Sequence, residues 1–202
     1  SELKTFHVPE ELQIFSDEIM RTAAFFGLRI LPSPDPDADL VLKLNSGLGA
    51  EAWFMRIDPS SILIEGGGKA GLFYALAAFS QMLITALIKG PAGAVLNCGT
   101  ACDKPRFGWR GLMLDSARHF QSKKTVKAVI RLMAHFRLNT FHWHLTEGLG
   151  WRIEIKRYPH LAQVGGSVGK AEEQQGFYTQ EEIREVINYA SQRNITIVPE
   201  ID

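Results

Sequence analysis

The second half of the chain alternates between short apolar runs and amphipathic helix patterns, and this alternation constrains the fold more than any other feature. The apolar runs are Gly111–Ser116, Thr140–Glu147 and Ile195–Asp202, and the near-continuous run Gly111–Ser116 is typical of a strand that is covered on both faces. Two helix patterns lie between them, with apolar faces formed by Val126, Val129, Ile130, Met133 and Phe136 and by Ile183, Val186, Ile187 and Ala190. Such an order predicts two consecutive βαβ units, whose strands are parallel.

Capping residues precede both helix patterns. Ser122 is a good N-cap for the first helix, and Thr179 with Glu182 forms a capping box for the second. A doubly wound sheet and a (β/α)8 barrel both begin with such units, and neither is complete with three strands.

The first half predicts a small α+β layer domain. A helix starts at Pro9, with Leu12, Phe15, Ile19, Ala23 and Phe26 on one face. Strand-like runs follow at Leu28–Leu31, Leu40–Leu44, Trp53–Ile57 and Ile62–Ile64, before a long apolar helix. The sequence pattern changes around Asp103-Lys104-Pro105 and becomes periodic after it, so we predict domains at residues 1–104 and 105–202.

The charge balance argues against nucleic acid as a partner. Lys plus Arg and Asp plus Glu number 22 each, so the formal net charge is zero, and no basic stripe is present. We expect no metal and no cofactor, because Cys98 and Cys102 lack nearby histidines. Two small loop residues are the favoured interpretation of these cysteines, with a local disulfide as the alternative.

The uncharged run Ala70–Ile88 is long enough to raise the question of a membrane span. Ser80, Gln81 and Thr85 interrupt it, and three glycines lead into it, so a helix buried against a sheet is the favoured interpretation. The N-terminal residues show no basic-then-apolar signal pattern.

The glycine triplet Gly66-Gly67-Gly68 resembles a phosphate loop only superficially. Lys69 is not followed by Ser or Thr, and the upstream glycine of a P-loop is missing. The triplet therefore predicts a turn from strand to helix.

Charged and aromatic residues collect where the three strands of the second half end. The strand ends read DSARH from Asp115, HWHLTE from His142 and EID from Glu200. Ligands bind at the carboxyl ends of parallel strands, and aromatic faces beside charged groups suit sugars.

The segments FGWRGLMLDSARHF, LNTFHWHLTEGLGWRIEIKRYPHL and GFYTQEEIREVINYASQRNITIVPEID resemble the β-N-acetylhexosaminidases of glycoside hydrolase family 20. The resemblance is dense from Phe107 to Asp202 and weaker in residues 1–104. It implies an α/β fold: a small α+β lead domain, then the first three β/α units of an incomplete TIM (β/α)8 barrel. It also implies hydrolysis of glycans that end in N-acetylglucosamine or N-acetylgalactosamine, in an extracytoplasmic compartment (periplasmic, secreted or lysosomal).

The resemblance assigns roles to two residues at the strand ends. Arg118 matches the arginine that holds the outer hydroxyls of the terminal sugar, the alternative being a structural ion pair. Glu147 matches a carboxylate that is usually Asp and belongs to a relay supporting the catalytic acid. Gly148 stands where a second acid is common.

Other residues of the matching blocks are expected to support the site rather than to bind substrate. Asp115, His119, His144 and Asp202 are predicted to position ligating groups or to fill barrel layers. The tryptophans Trp109 and Trp151 are predicted to pack. His142 faces away from Trp143 by strand alternation and receives no role.

The family's catalytic pair is missing from the matching positions. That pair is an adjacent Asp–Glu on a later strand, where Glu protonates the leaving oxygen and Asp orients the substrate's acetamide for attack on the anomeric carbon. The acidic pairs of this sequence are Glu10-Glu11, Asp17-Glu18, Glu172-Glu173 and Glu181-Glu182. None follows the right strand, so we expect a truncated glycosidase that is inactive by itself.

Two other functions remain open from the sequence. The chain could be a non-catalytic module that binds amino sugars, or its first hundred residues could form an interaction domain. In each case the third strand lacks its next neighbour, and we predict self-association through this exposed barrel edge.

Overall fold

The computed structural model describes residues 5–7, 31–32, 40–88, 96–168 and 175–202. Its contacts divide into two compact units, Ser1–Arg106 and Phe107–Asp202. The predicted helix after Pro9 lies outside the described residues, as does most of the predicted strand Leu28–Leu31.

The first unit contains a six-stranded mixed sheet. Its strands are β1 (Thr5–His7), β2 (Leu31–Pro32), β3 (Leu40–Leu44), β4 (Trp53–Ile57), β5 (Ile62–Gly66) and β6 (Gly99–Asp103). They are ordered β2-β1-β3-β5-β4-β6, and β4 is antiparallel to both of its neighbours. The predicted strands at Leu40 and Trp53 are confirmed, and the one at Ile62 runs two residues further. β6 was not predicted.

Helix α1 (Lys69–Ile88) packs against β3, β4 and β5. Its buried residues include Leu72, Phe73, Tyr74, Leu76, Phe79 and Leu83. Lys69–Ala86 is the one described segment that is long and apolar enough to cross a membrane. The burial of its apolar side chains against the sheet is what a core helix requires.

The glycine triplet forms the predicted turn from β5 into α1. A Cβ on Gly67 would lie 1.9 Å from the Gly49 carbonyl oxygen, and one on Gly66 would lie 2.4 Å from the Leu72 nitrogen. The close approach of two backbones therefore accounts for these glycines. Cys98 precedes β6 and Cys102 lies within it, so only the first is a loop residue; both are exposed and unbonded.

The second unit contains a sheet of three parallel strands, β7 (Gly111–Asp115), β8 (Thr140–Glu147) and β10 (Thr196–Ile201), with β8 in the middle. A short strand, β9 (Gly150–Trp151), folds back antiparallel to the end of β8. The parallel pairing confirms the two predicted βαβ units.

The described residues of the second unit form the helices α2 (Lys123–His135), α3 (Pro159–Gly166) and α4 (Gln180–Ser191). The Ser122 cap and the Thr179–Glu182 capping box both form as predicted. Helix α3 and strand β9 were not predicted.

Three predictions of burial in this unit were wrong. Met113 is 54% exposed because β7 is an edge strand whose inner face has no covering layer. Phe136 is exposed because it is the C-cap residue, past the last turn of α2, and Ile187 lies at the margin of the buried face of α4.

Candidate functional site

The carboxyl ends of β7, β8 and β10 lie side by side. Asp115 pairs in register with His144, and His144 pairs with Glu200 on the other side. Paired residues of neighbouring strands point to the same face of a sheet, so these three side chains form one row near the strand ends. The row separates the apolar part of the sheet from the turns that follow it.

Arg118 lies in the turn after β7, and two carboxylates hold it. Its Nη1 lies 2.6 Å from Asp115 Oδ2, and its backbone N–H donates to Asp115 Oδ1 at 3.0 Å. Its Nη2 lies 3.3 Å from Glu147 Oε2. The structure thus brings together the two residues to which sequence comparison assigned site roles.

Exposure differs between the members of this group. The Arg118 side chain is 51% exposed, whereas the Glu147 side chain is 10% exposed. Glu147 also accepts a hydrogen bond from the backbone N–H of Leu149 at 2.7 Å, within the turn between β8 and β9. Because Glu147 is nearly buried and Arg118 is half exposed, some N–H donors of the Arg118 guanidinium remain accessible to solvent.

Electrostatic interactions favour the charged forms of Asp115 and Arg118. Partial burial raises the pKa of Asp115, but hydrogen bonds from Arg118 and the charge on His144 outweigh it and hold the pKa below its ordinary value. The hydrogen bond to Asp115, and then the charges of Glu147 and Asp202, raise the pKa of Arg118.

Two histidines share one oxygen of Glu200. His144 Nδ1 lies 2.7 Å from Glu200 Oε2, and His142 Nε2 lies 2.8 Å from the same atom. The hydrogen bond from His144 is the main cause of the lowered pKa of Glu200. Strand alternation gave His142 no role, but the register between β8 and β10, which the sequence does not encode, places it beside β10.

The remaining predicted residues are placed less centrally. His119 is exposed in the turn after β7. Asp202 is exposed at the end of β10, where its backbone N–H donates to Thr146 Oγ1 at 3.1 Å. His144 is buried, and its Nε2 has no hydrogen-bond partner among the described residues.

The two tryptophans behave differently. Trp109 is 67% exposed, so the prediction that it packs was wrong for this structure. Trp151 is half-buried, and its Nε1 donates to the Ile153 carbonyl oxygen at 2.8 Å.

A buried aromatic group supports the site from the helix side of the sheet. Trp143 Nε1 donates to Ser116 Oγ at 2.9 Å, and the hydroxyls of Ser116 and Tyr178 are hydrogen-bonded to each other at 3.0 Å. The Tyr178 hydroxyl donates its one proton to the Gln121 carbonyl oxygen. Burial raises the pKa of Tyr178 to about 12. Ser116 stands between Asp115 and the Arg118 turn, so this group fixes the start of that turn.

Within the parts of the chain that the structure describes, no group of three or more His, Cys, Asp or Glu side chains has the geometry of a metal site. The described strand ends bring together one guanidinium, several carboxylates and the imidazoles of His142 and His144, which make ionic and hydrogen-bonding contacts.

Parallel βαβ units with a charged row at their carboxyl ends are the beginning of either a doubly wound sheet or a (β/α)8 barrel, and comparison with known proteins distinguishes the two. Residues 107–202 match the catalytic-domain model of glycosyl hydrolase family 20, and residues 5–104 match the model of domain 2 of that family. The chain belongs to glycosyl hydrolase family 20.

Named relatives are consistent with this membership. A β-hexosaminidase of Vibrio furnissii is 43% identical over 178 residues, which cover 82% of this chain and 28% of that protein. One of Porphyromonas gingivalis is 38% identical, over 91% of this chain and 25% of that protein. The chain therefore spans roughly a quarter of the length of these two relatives.

Solved structures agree over the whole chain. The β-N-acetylhexosaminidase from Bacteroides fragilis has a TM-score of 0.88 and 36% identity, and the match covers 100% of this chain and 41% of that one. An exo-β-N-acetylglucosaminidase from Vibrio harveyi, solved in complex with N-acetylglucosamine, has a TM-score of 0.84 and 36% identity, with 100% and 33% coverage. These neighbours confirm the predicted fold class.

Proposed function

We propose that the protein containing this chain hydrolyses terminal N-acetylhexosamine residues of glycans by a retaining, acetamide-assisted mechanism. The observation that carries the proposal is the convergence of Arg118 and Glu147 at one sheet edge, 3.3 Å apart. The N-acetylglucosamine bound to the Vibrio harveyi relative supports the choice of sugar. Terminal N-acetylglucosamine or N-acetylgalactosamine is the proposed substrate end, and an extracytoplasmic compartment is the proposed location.

Arg118 would hold the outer hydroxyls of the terminal sugar. A guanidinium carries five N–H donors; Asp115 accepts a hydrogen bond from Nη1 at 2.6 Å, and Glu147 forms an ion pair with Nη2 at 3.3 Å. The donors left over face solvent on a side chain whose direction is already fixed. A fixed fork binds a pair of neighbouring hydroxyls at a smaller cost in rotamer entropy than a free one does.

Glu147 would act through other groups rather than on the sugar. Its contacts within the described residues are Arg118 and the Leu149 N–H, and no histidine is among them. We infer that the Glu147 carboxylate accepts a further hydrogen bond from a histidine on a later barrel strand. This hydrogen bond would orient the histidine, as in the relay that the family resemblance implies. Asp115 and His144, in the row at the strand ends, and Asp202, at the end of β10, would help to hold Arg118 and Glu147 in place.

The reaction itself needs groups that the described strand ends do not hold. In the proposed mechanism the acetamide oxygen attacks the anomeric carbon, the glycosidic bond breaks, and a carboxylic acid donates its proton to the leaving oxygen. The described residues contain one adjacent acidic pair, Glu181-Glu182, and it lies in the first turn of α4. We therefore propose that this chain alone does not turn over substrate.

A second candidate follows from the same observation. A sheet edge that holds Arg118 without the Asp–Glu pair could bind amino sugars without cleaving them. Binding of N-acetylglucosamine that is lost on Arg118→Met, in a protein that releases no product even at full length, would favour this binding module.

The test is release of an aryl group from aryl N-acetylglucosaminide and N-acetylgalactosaminide. We expect no release by the 202-residue chain and release by a version extended to the length of its relatives. In the extended protein, Arg118→Met should lower kcat/KM by about a hundredfold, because a charged, bidentate contact is lost.

Arg56→Met is the matched control, since the Arg56 side chain is 52% exposed and pairs with Asp58 at 3.0 Å, within the other unit. It should leave kcat/KM unchanged. An inactive extended protein that folds normally, or full activity of Arg118→Met, would contradict the proposal.

A further inference from the structure

Arg152 follows β9 and is fully buried, which is unusual for a charged side chain. Within the described residues its side chain has no carboxylate partner and donates to four main-chain carbonyl oxygens. These belong to Ala117 at 3.1 Å, Gly166 at 2.9 Å, Val168 at 3.0 Å and Gly176 at 3.1 Å. A buried cation is costly unless its donors are satisfied, and here main-chain carbonyl oxygens satisfy them.

The four acceptors come from three different parts of the second unit. Ala117 is the residue before Arg118 in the turn after β7. Gly166 is the last residue of helix α3, Val168 lies two residues beyond it, and Gly176 precedes α4. The backbone of Arg152 adds two more contacts, because its N–H donates to the Leu145 carbonyl oxygen and its carbonyl accepts from the Tyr178 N–H.

These contacts join the two turns that carry the site. Arg118 lies one residue beyond Ala117, and Glu147 lies in β8, directly before the turn to β9. The chain fits closely here: a Cβ on Gly150 would lie 2.4 Å from the Ala117 carbonyl oxygen. The Arg152 side chain therefore reaches the Arg118 turn from the hairpin, and the absence of a side chain at Gly150 lets the two turns approach closely.

We propose that Arg152 is a positioning residue, which fixes the Arg118 turn relative to the β8–β9 hairpin so that Arg118 and Glu147 meet at the sugar site. The statement that Arg152 helps to assemble a sugar site rests on the proposed function. The statement that Arg152 fixes the two turns can be tested without any sugar. Lysine cannot replace this arginine, since one ammonium cannot reach acceptors on three sides of a planar fork.

The experiment measures 15N order parameters in the 202-residue chain. In the unmodified chain we expect Arg152 Nε to be as rigid as a backbone amide, about 0.85, and a value below about 0.6 would overturn the proposal outright. Arg152→Lys should lower the order parameters of the Arg118 and Leu149 amides toward about 0.6 and leave that of the Trp143 amide unchanged.

Gly150→Ala is the second variant, because it retains Arg152 but pushes the hairpin away from Ala117; the same two amides should loosen. Arg193→Lys is the matched control, since Arg193 is also buried and donates to a main-chain carbonyl, that of Tyr189 at 2.9 Å. Equal loosening in the control, or uniform loosening of all amides in Arg152→Lys, would show a merely structural role and reject the proposal.

A sugar measurement separates this inference from the proposed function. In the extended protein, Arg152→Lys should raise KM about tenfold, and the effect should disappear when Arg118 is already Met. If Arg152→Lys loosens the two turns but Arg118→Met leaves KM unchanged, the proposed function is contradicted and the positioning role of Arg152 still holds. An effect of Arg152→Lys that persists in the Arg118→Met background would reject action through Arg118.

Discussion

Strand β3 of the first unit and strand β7 of the second are both short, apolar and parallel to a neighbour, yet they are buried very differently. In β3, Leu40 and Leu42 are 0% exposed. In β7, Met113 is 54% exposed. β3 has strands on both sides and lies under α1, whereas β7 is an edge strand with a single neighbour.

The difference shows that an apolar run predicts a strand but not how many of its faces are covered. In the second unit the helix side of the sheet is well packed, with Phe141, Trp143 and Leu145 all at 1% exposure or less. The opposite side carries Met113 and the charged row. In a closed (β/α)8 barrel this inner side is filled by side chains from the other strands.

Truncation of one leucine in β3 should cost far more than truncation of Met113 in β7. We expect Leu42→Ala to lower the free energy of unfolding by about 3 kcal/mol, since it leaves a cavity in a filled core. Met113→Ala should cost less than about 1 kcal/mol, because half of that side chain is already in water. Urea unfolding of both variants measures this, and equal costs would break the comparison.

The packed side of the second unit should be sensitive to alkali. The pKa of Tyr178 is raised from 10.0 to about 12 in the folded chain, because burial favours its neutral form. The stabilisation is complete below pH 10 and is lost as the pH rises through 12, by about 3 kcal/mol in all.

Urea midpoints between pH 9 and pH 12 test this expectation. Tyr178→Phe should be less stable at pH 9, since it gives up the hydrogen bonds to Ser116 and Gln121, but its stability should fall less steeply with pH. Parallel curves for the two proteins would show that Tyr178 is not the titrating group.

The uncovered side and edges of the second unit should make the chain self-associate. Ile201 on β10 is 57% exposed and lies on the other edge strand from Met113. We expect dimers or larger species by light scattering, and we expect Met113→Lys with Ile201→Lys to shift the chain toward monomer. Leu44→Lys, in the first unit, is the matched control at 44% exposure and should change nothing. A monodisperse monomer of the unmodified chain would refute this expectation.

The smallest effect is expected from an ion pair between two helices on the outer surface of the second unit. Hydrogen bonds from Lys123 and Lys127 hold the pKa of Glu185 at about 2, below its ordinary value of 4.5. A lowered pKa stabilises the folded state above pH 4.5, and the effect is lost as the pH falls through 2. The stability difference between the unmodified chain and Glu185→Gln should close over that window; a constant difference would contradict this assignment.

Much of this fold could be predicted from local chemistry. The bounds of the strands at Leu40, Trp53 and Thr140 follow from short apolar runs between turn residues, and the Thr179 capping box is a local motif. Arg118 and Glu147 could be placed together because parallel strands share one carboxyl edge.

The misses have a common physical origin in tertiary neighbours. β6, with sequence GTACD, has no apolar alternation, and only its pairing with β4 makes it a strand. Arg152 looks like any arginine in GWRIEIKRYP, since burial depends on carbonyls up to 35 residues away. The contact of His142 with Glu200 depends on the register between two strands, which no single run encodes.

The most direct test is a titration of the isotopically labelled chain with N-acetylglucosamine, monitored through the amide NMR signals. It asks whether the carboxyl ends of the three parallel strands together bind the sugar. With millimolar sugar, the amides of Arg118, Leu149 and Asp202 should shift along one binding curve, while Met55 in the first unit stays fixed, and Arg118→Met should abolish the shifts. Signals that move only in the first unit, or an Arg118 amide that stays still while others respond, would show that these strand ends do not form the site.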